Sequence, residues 1–129
     1  MKNFEFKSQI CTSRSQSERL LKLGLKKETA DMMYRTYEKL SEEYRYYELV
    51  PEFYRPCIEG IVHIPAWSLH RLLCLIPKDI NIDGFKFPLR SDVIMRLEDA
   101  DFMYERLMGI IERVIKEGYF NQDYLEEKK

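Results

Sequence analysis

Residues 61–77 read IVHIPAWSLHRLLCLIP, and this stretch decides the fold. It holds the only tryptophan and both histidines of the chain. Ile61 to Ile64 are β-branched or apolar around His63 and predict a short strand, with Pro65 expected to stop it. Ser68 then sits where a helix N-cap belongs, and Trp67 before it is placed to pack on Leu72 as a hydrophobic staple. Leu69, Leu72, Leu73 and Ile76 share one helical face, and Pro77 marks the helix end. A strand passing directly into an amphipathic helix makes this chain α+β.

The segments downstream sharpen that reading. Ile80, Ile82, Phe85 and Phe87 alternate around Asp83-Gly84. A two-residue turn of this kind needs positive φ at both positions, which Asp tolerates and Gly supplies. The hairpin would pair Ile82 with Phe85 and Ile80 with Phe87 on one apolar face, leaving Asn81 and Lys86 on the other. Val93 to Leu97 would add a third strand. A final helix follows: Glu98, Asp99 and Asp101 lie at its start and Arg113 and Lys116 near its end, as the helix dipole favours. Ala100, Met103, Tyr104, Leu107, Met108, Ile110, Ile111, Val114 and Ile115 fill one broad arc, and Gly118 ends it. Residues 121–129 read as a charged tail.

Upstream, residues 1–12 read as an arm that Phe4, Phe6 and Ile10 would hold down. Ser13 or Ser15 can cap a first helix, with Gln16 or Glu18 three residues on as the reciprocal partner, and Gly24 can end it in a left-handed cap. Residues 29–48 are read as a helix, because Ala30, Met33, Tyr37, Leu40, Tyr44 and Tyr47 recur at spacings of three and four. The composition of YRYYELV is nevertheless β-prone, so the choice between helix and strand over 34–49 stays open on sequence. Pro51 and Pro56 make residues 49–60 a loop. The expectation is one domain over residues 1–129, with about three helices packed on a small antiparallel sheet that contains the hairpin.

Bulk composition narrows the function classes. The chain has 129 residues, enough to bury one core without disulfide or metal. Its net charge of −1 argues against a general electrostatic grip on nucleic acid or an anionic membrane. The average conceals an asymmetry: residues 1–27 carry seven Lys/Arg against two Glu, whereas residues 98–129 carry nine acids against five bases. Cys11, Cys57 and Cys74 are odd in number and form no CxxC pair, which predicts reduced thiols. MKNFEFKSQI lacks the apolar core of a secretory signal, and no apolar run approaches a membrane span. The expected compartment is the cytoplasm, with no membrane partner.

QSERLLKLGL, then ETADM, then IPAWSLHRLLCLIP, then a hairpin and a terminal helix ending EGYF, form a combination that resembles a family of small uncharacterised proteins. These are encoded by prophages and mobile elements of gut Bacteroidetes, and they typically read LGL, TADM and PAWSL before a Leu-rich stretch. The resemblance covers most of residues 16–120, with PAWSL its most specific part; the Tyr-rich stretch from Tyr34 to Tyr54 departs from the pattern. It implies a mobile-element origin, a bacterial cytoplasm and an accessory binding protein. It supplies no activity, cofactor or site residue.

The residues themselves offer three function classes. Six of nine tyrosines lie between Tyr34 and Tyr54, interleaved with Arg35, Arg45 and Arg55, a composition suited to protein interfaces. Tyr37, Tyr44 and Tyr47 are read as core-facing, while Arg45, Tyr46 and Tyr54 are read as exposed interaction residues. Phe102 lies opposite the apolar arc of the last helix, and Gly109, seven residues on, shares that outer face without a capping role. A non-enzymatic module that binds a protein partner or itself through Arg45, Tyr46, Tyr54, Phe102 and Gly109 is the leading expectation. The second class is a nucleic-acid accessory protein using Arg14, Arg19, Lys22, Lys26 and Lys27; it is less favoured. The third is a small enzyme using His70 and Cys74, whose spacing of four also suits two metal ligands, with His63 and Cys57 upstream to complete a set. No second tight ligand pair, nucleophile elbow, phosphate-binding Gly loop or HExxH is present, so no metal, cofactor or catalytic residue is assigned.

Overall fold

The computed structural model describes residues 9–40, 47–50, 60–97 and 102–127. Ser13 caps helix α1 (Arg14–Lys22): its side chain accepts from the Gln16 amide and the Gln16 side chain accepts in return from the Ser13 N–H. Gly24 follows at φ 97°, a left-handed stop. A 3₁₀ turn at Lys27–Thr29 leads into strand β1 (Met32–Tyr37). This corrects the expected helix over residues 29–48. β1 is the central strand of a three-stranded antiparallel sheet in the order β2-β1-β3, with β2 at Glu48–Val50 and β3 at Ile61–Ala66. Ladders on both sides satisfy its backbone, and they prevail over the helical spacing of its apolar letters. Tyr37 is accordingly 66% exposed rather than core-facing. Tyr44, Tyr46, Arg45, Tyr54 and Cys57 lie outside the described residues.

Pro65 does not stop β3. It pairs with Met33 inside the strand, which is tolerated because β3 is an edge strand and no second neighbour asks for the missing N–H. Ser68 then caps α2 (Leu69–Leu75), accepting from the Arg71 amide as expected. Hairpin β4 (Ile80–Ile82) and β5 (Phe85–Phe87) has the anticipated register, with Asp83 at φ 50° and Gly84 at φ 82°. It forms a separate two-stranded sheet. The third strand expected over residues 93–97 is instead α3 (Leu89–Arg96). Asp92 in its first turn suits the helix dipole and pairs with Arg96 at 3.1 Å. The Arg90 guanidinium fastens α3 to the end of α2 by donating to the carbonyls of Cys74 and Ile76, each at 2.9 Å. There are thus four α-helices among the described residues, the last being α4 (Met103–Lys116), which Gly118 ends at φ 81°.

The core gathers on α4. Its Leu107, Met108, Ile111 and Val114 pack with Leu20, Leu25, Trp67, Leu72, Ile76 and Val93, with Trp67 wholly buried. The expected tail is no tail through residue 127. A 3₁₀ turn at Gln122–Tyr124 returns the chain, Leu125 bridges Leu25, and the amides of Lys26 and Glu126 donate to Tyr124 and Gly24. Residues 9–12 of the arm are likewise anchored, though not by Ile10, which is 59% exposed; Phe4 and Phe6 lie outside the described residues. Cys11 bridges Ser68, and Thr12 is fully buried, exchanging backbone and side-chain hydrogen bonds with Trp67.

Candidate functional site

The hairpin, α3 and α4 leave a groove of about 500 Å³ between them. Its floor is apolar: Ile82 and Phe87 come from the hairpin, Val93 and Leu97 from the α3 segment, and Ile110 and Val114 from α4. The hairpin's apolar face, anticipated from alternation, therefore opens onto this groove instead of entering the core. Ile82 is 44% exposed, and Phe85, its cross-strand partner, is 66% exposed. Tyr119 completes the lining.

Arginines mark the rim. Arg96 and Arg113 each pair with a carboxylate four residues away on their own element, Asp92 and Glu117, both at 3.1 Å. Arg106 donates to the Arg96 backbone carbonyl at 3.2 Å and makes no ion pair among the described residues. Arg106, Gly109 and Arg113 follow spacings of three and four, so they form one stripe on α4. Of the two α4-region residues singled out on sequence, Phe102 precedes α4 as its N-cap and is 62% exposed, and a Cβ built at Gly109 would meet nothing within 4 Å, but neither lines the groove. The groove itself was not anticipated. The available signal was the spread of apolar residues over more than one face of segment 89–97, where Leu89, Val93, Ile94, Met95 and Leu97 cannot all face one core.

The Cys/His pair is brought together, with Cys74 Sγ and His70 Nε2 3.5 Å apart on the exposed side of α2. A nucleophile and base in contact still need a group to orient the base. No carboxylate bonds His70 among the described residues, and no group of three His, Cys, Asp or Glu there could hold a metal. The adjoining cleft, lined by Lys26, Glu28, Arg71, Asp123 and Glu126, carries charges of both signs. Cys11 is 3% exposed; its thiol donates to the Tyr34 hydroxyl, which in turn donates to the Thr12 carbonyl. Burial pushes the Cys11 thiol and the Tyr34 phenol upward, so both stay protonated and structural.

Of the basic N-terminal residues, only Arg19 and Lys22 come together, lining one cleft with Glu112, and the five form no single patch. Arg14 stacks over the Tyr47 ring at 4.0 Å, and Arg19 grips both Glu105 carboxylate oxygens at 2.9 and 3.0 Å. Hydrogen bonds from Gln16 and then Arg19 hold the Glu105 carboxyl below its usual range. Lys22 and Lys26 line different clefts, while Lys27 belongs to the 3₁₀ turn. No helix among the described residues is long and apolar enough to cross a membrane. Comparison with protein-family models, with curated proteins and with solved structures finds no match to this chain.

Proposed function

We propose that this chain is a non-enzymatic protein-interaction module whose partner seats in the groove between the hairpin, α3 and α4. The observation that carries the reading is the apolar floor, which includes exposed Ile82, with exposed Phe85 paired to it on the hairpin. Large apolar side chains left open beside a groove and rimmed by arginine are the composition of interface centres. Covering one such side chain fully contributes about 1.5–3 kcal/mol, so burying Ile82 and Phe85 with the floor offsets much of the cost of association. On the sequence resemblance alone, the reading extends to an accessory protein of a bacterial mobile element. The free thiols of Cys11 and Cys74 agree with a reducing cytoplasm.

A nucleic-acid accessory role draws less support, because two of its five cations are engaged by Tyr47 and Glu105. An enzyme built on Cys74 and His70 lacks an orienting group among the described residues.

The test places a photo-crosslinking amino acid at Tyr119 or Ile82, and at exposed Lys78 as a control, in cells that express the protein. A discrete protein adduct from the groove positions, absent from the control and lost when Ile110 is changed to Asp, is expected. Adducts of equal pattern at all three positions, or none from the groove, would refute the proposal.

A further inference from the structure

Resting on that reading, we propose that the partner presents an amphipathic helix of about three turns, apolar on one face and acidic along its flanks. The length comes from α4. Its groove-lining residues run from Arg106 to Glu117, about 16 Å at 1.5 Å per residue. A strand is a poorer occupant: β4 and β5 have three residues each, too few for a sustained ladder with an added chain. A helix needs only side-chain contacts, which the groove's apolar floor supplies along its length.

The rim sets the charge of the partner. Three arginines face two carboxylates there, and both carboxylates are already engaged by exposed neighbours four residues away. Such pairs are weak and exchange readily, and a guanidinium fork takes an incoming carboxylate in two-point geometry. Arg106 spends one contact on the Arg96 carbonyl and keeps the rest of its fork for a ligand. A lysine-flanked helix would meet three like charges. A small anionic amphiphile would fill the floor but leave Phe85, beside it on the hairpin, open, whereas a helix within a protein covers it.

The experiment uses the full chain and fluorescent stapled helical peptides sharing one Leu/Phe stripe, with flanks of Glu, Gln or Lys. Anisotropy titrations at low and high salt are paired with amide chemical-shift mapping. At low salt the Glu peptide is expected to bind about three- to tenfold tighter than the Gln peptide, and the Lys peptide more weakly than either. High salt is expected to compress the differences. Arg106→Glu with Arg113→Glu, two surface changes whose folding circular dichroism checks, is expected to reverse the order; Arg106→Gln alone is expected to shrink it. Equal affinities with shifts in the groove would overturn the charge assignment and leave the groove as a docking site. Failure of all three peptides, with crosslinks at Tyr119 intact, would overturn the helical partner alone. Peptide binding mapped away from the groove, with no such crosslinks, would remove both.

Discussion

Asp31→Ala perturbs the point where the sheet, the arm and α2 are tied together. Asp31 belongs to no helix or strand, yet its carboxylate accepts from the Ser68 amide at 2.9 Å and from the Ser68 hydroxyl at 2.5 Å. The same hydroxyl accepts from the Arg71 amide at 3.1 Å, so one carboxylate orients the N-cap of α2. A hydrogen bond to a charged group contributes about 1.5–3 kcal/mol net, and the substitution removes two. The site is partly open to water, which can take up the freed donors, so the low end applies and the expected loss is about 3 kcal/mol. For a domain of this size that lowers Tm by roughly 10–15 °C. Asp31→Asn keeps an acceptor for the Ser68 amide and is expected to lose about 1 kcal/mol. Ser68→Ala should cost about 1–2 kcal/mol, and the double change should fall short of additivity by about 1–2 kcal/mol. Urea unfolding followed by the fluorescence of Trp67, the only tryptophan and fully buried beside Ser68, measures the parent and all four variants at constant m. An Asp31→Ala protein within about 0.5 kcal/mol of the parent, or strict additivity with Ser68→Ala, would refute the argument.

Three further outcomes are expected. Burial pushes the Tyr104 phenol from its ordinary 10.0 to about 12. Because the folded value is raised, the neutral phenol stabilises the fold fully below pH 10 and that contribution is lost as pH rises towards 12. Absorbance titration at 295 nm in the parent and in Tyr104→Phe should show the late step of Tyr104 lost while that of Tyr34, which burial also raises, remains; an unchanged titration would count against it. Cys74 should react with a thiol reagent far faster than Cys11, which opens only with the core; peptide-level mass spectrometry showing equal rates would contradict the 3% exposure of Cys11. A chain ending at Phe120 loses the bond from the Lys26 amide to the Tyr124 carbonyl, the bond from the Glu126 amide to the Gly24 carbonyl, and the edge-to-face contact of Tyr124 with Phe120. It should be destabilised by about 2–4 kcal/mol, whereas a solvated tail would leave the urea midpoint unmoved.

The parts legible in the sequence were those fixed by local chemistry. Ser13 with Gln16, Ser68 before LHRLLCL, Asp83-Gly84 between alternating apolar residues, and Gly24 and Gly118 after their helices each specify their conformation within a few residues. Segments 29–48 and 93–97 misled because their letters fit two periods at once. MMYRTY became a strand when β2 and β3 supplied ladders on both sides, and DVIMRL became helix beside an Arg90 anchored on α2. Phe102 and Gly109 were legible as exposed residues at the start and on the outer face of α4, but the groove is lined by other residues. Ile82, Val93 and Ile110 were not legible as a site, because each belongs to a different element.

The sequence by itself determined that this is an α+β chain with capped helices, an Asp-Gly hairpin and an amphipathic last helix, since periodicity and turn chemistry act over a few residues. Tertiary structure alone decided which strand is central, that the end of the chain folds back on Leu25, and that one hairpin face stays open above α4. Those outcomes depend on which backbone groups and apolar faces distant segments offer one another. A single segment carries its own half of that match and no record of the other.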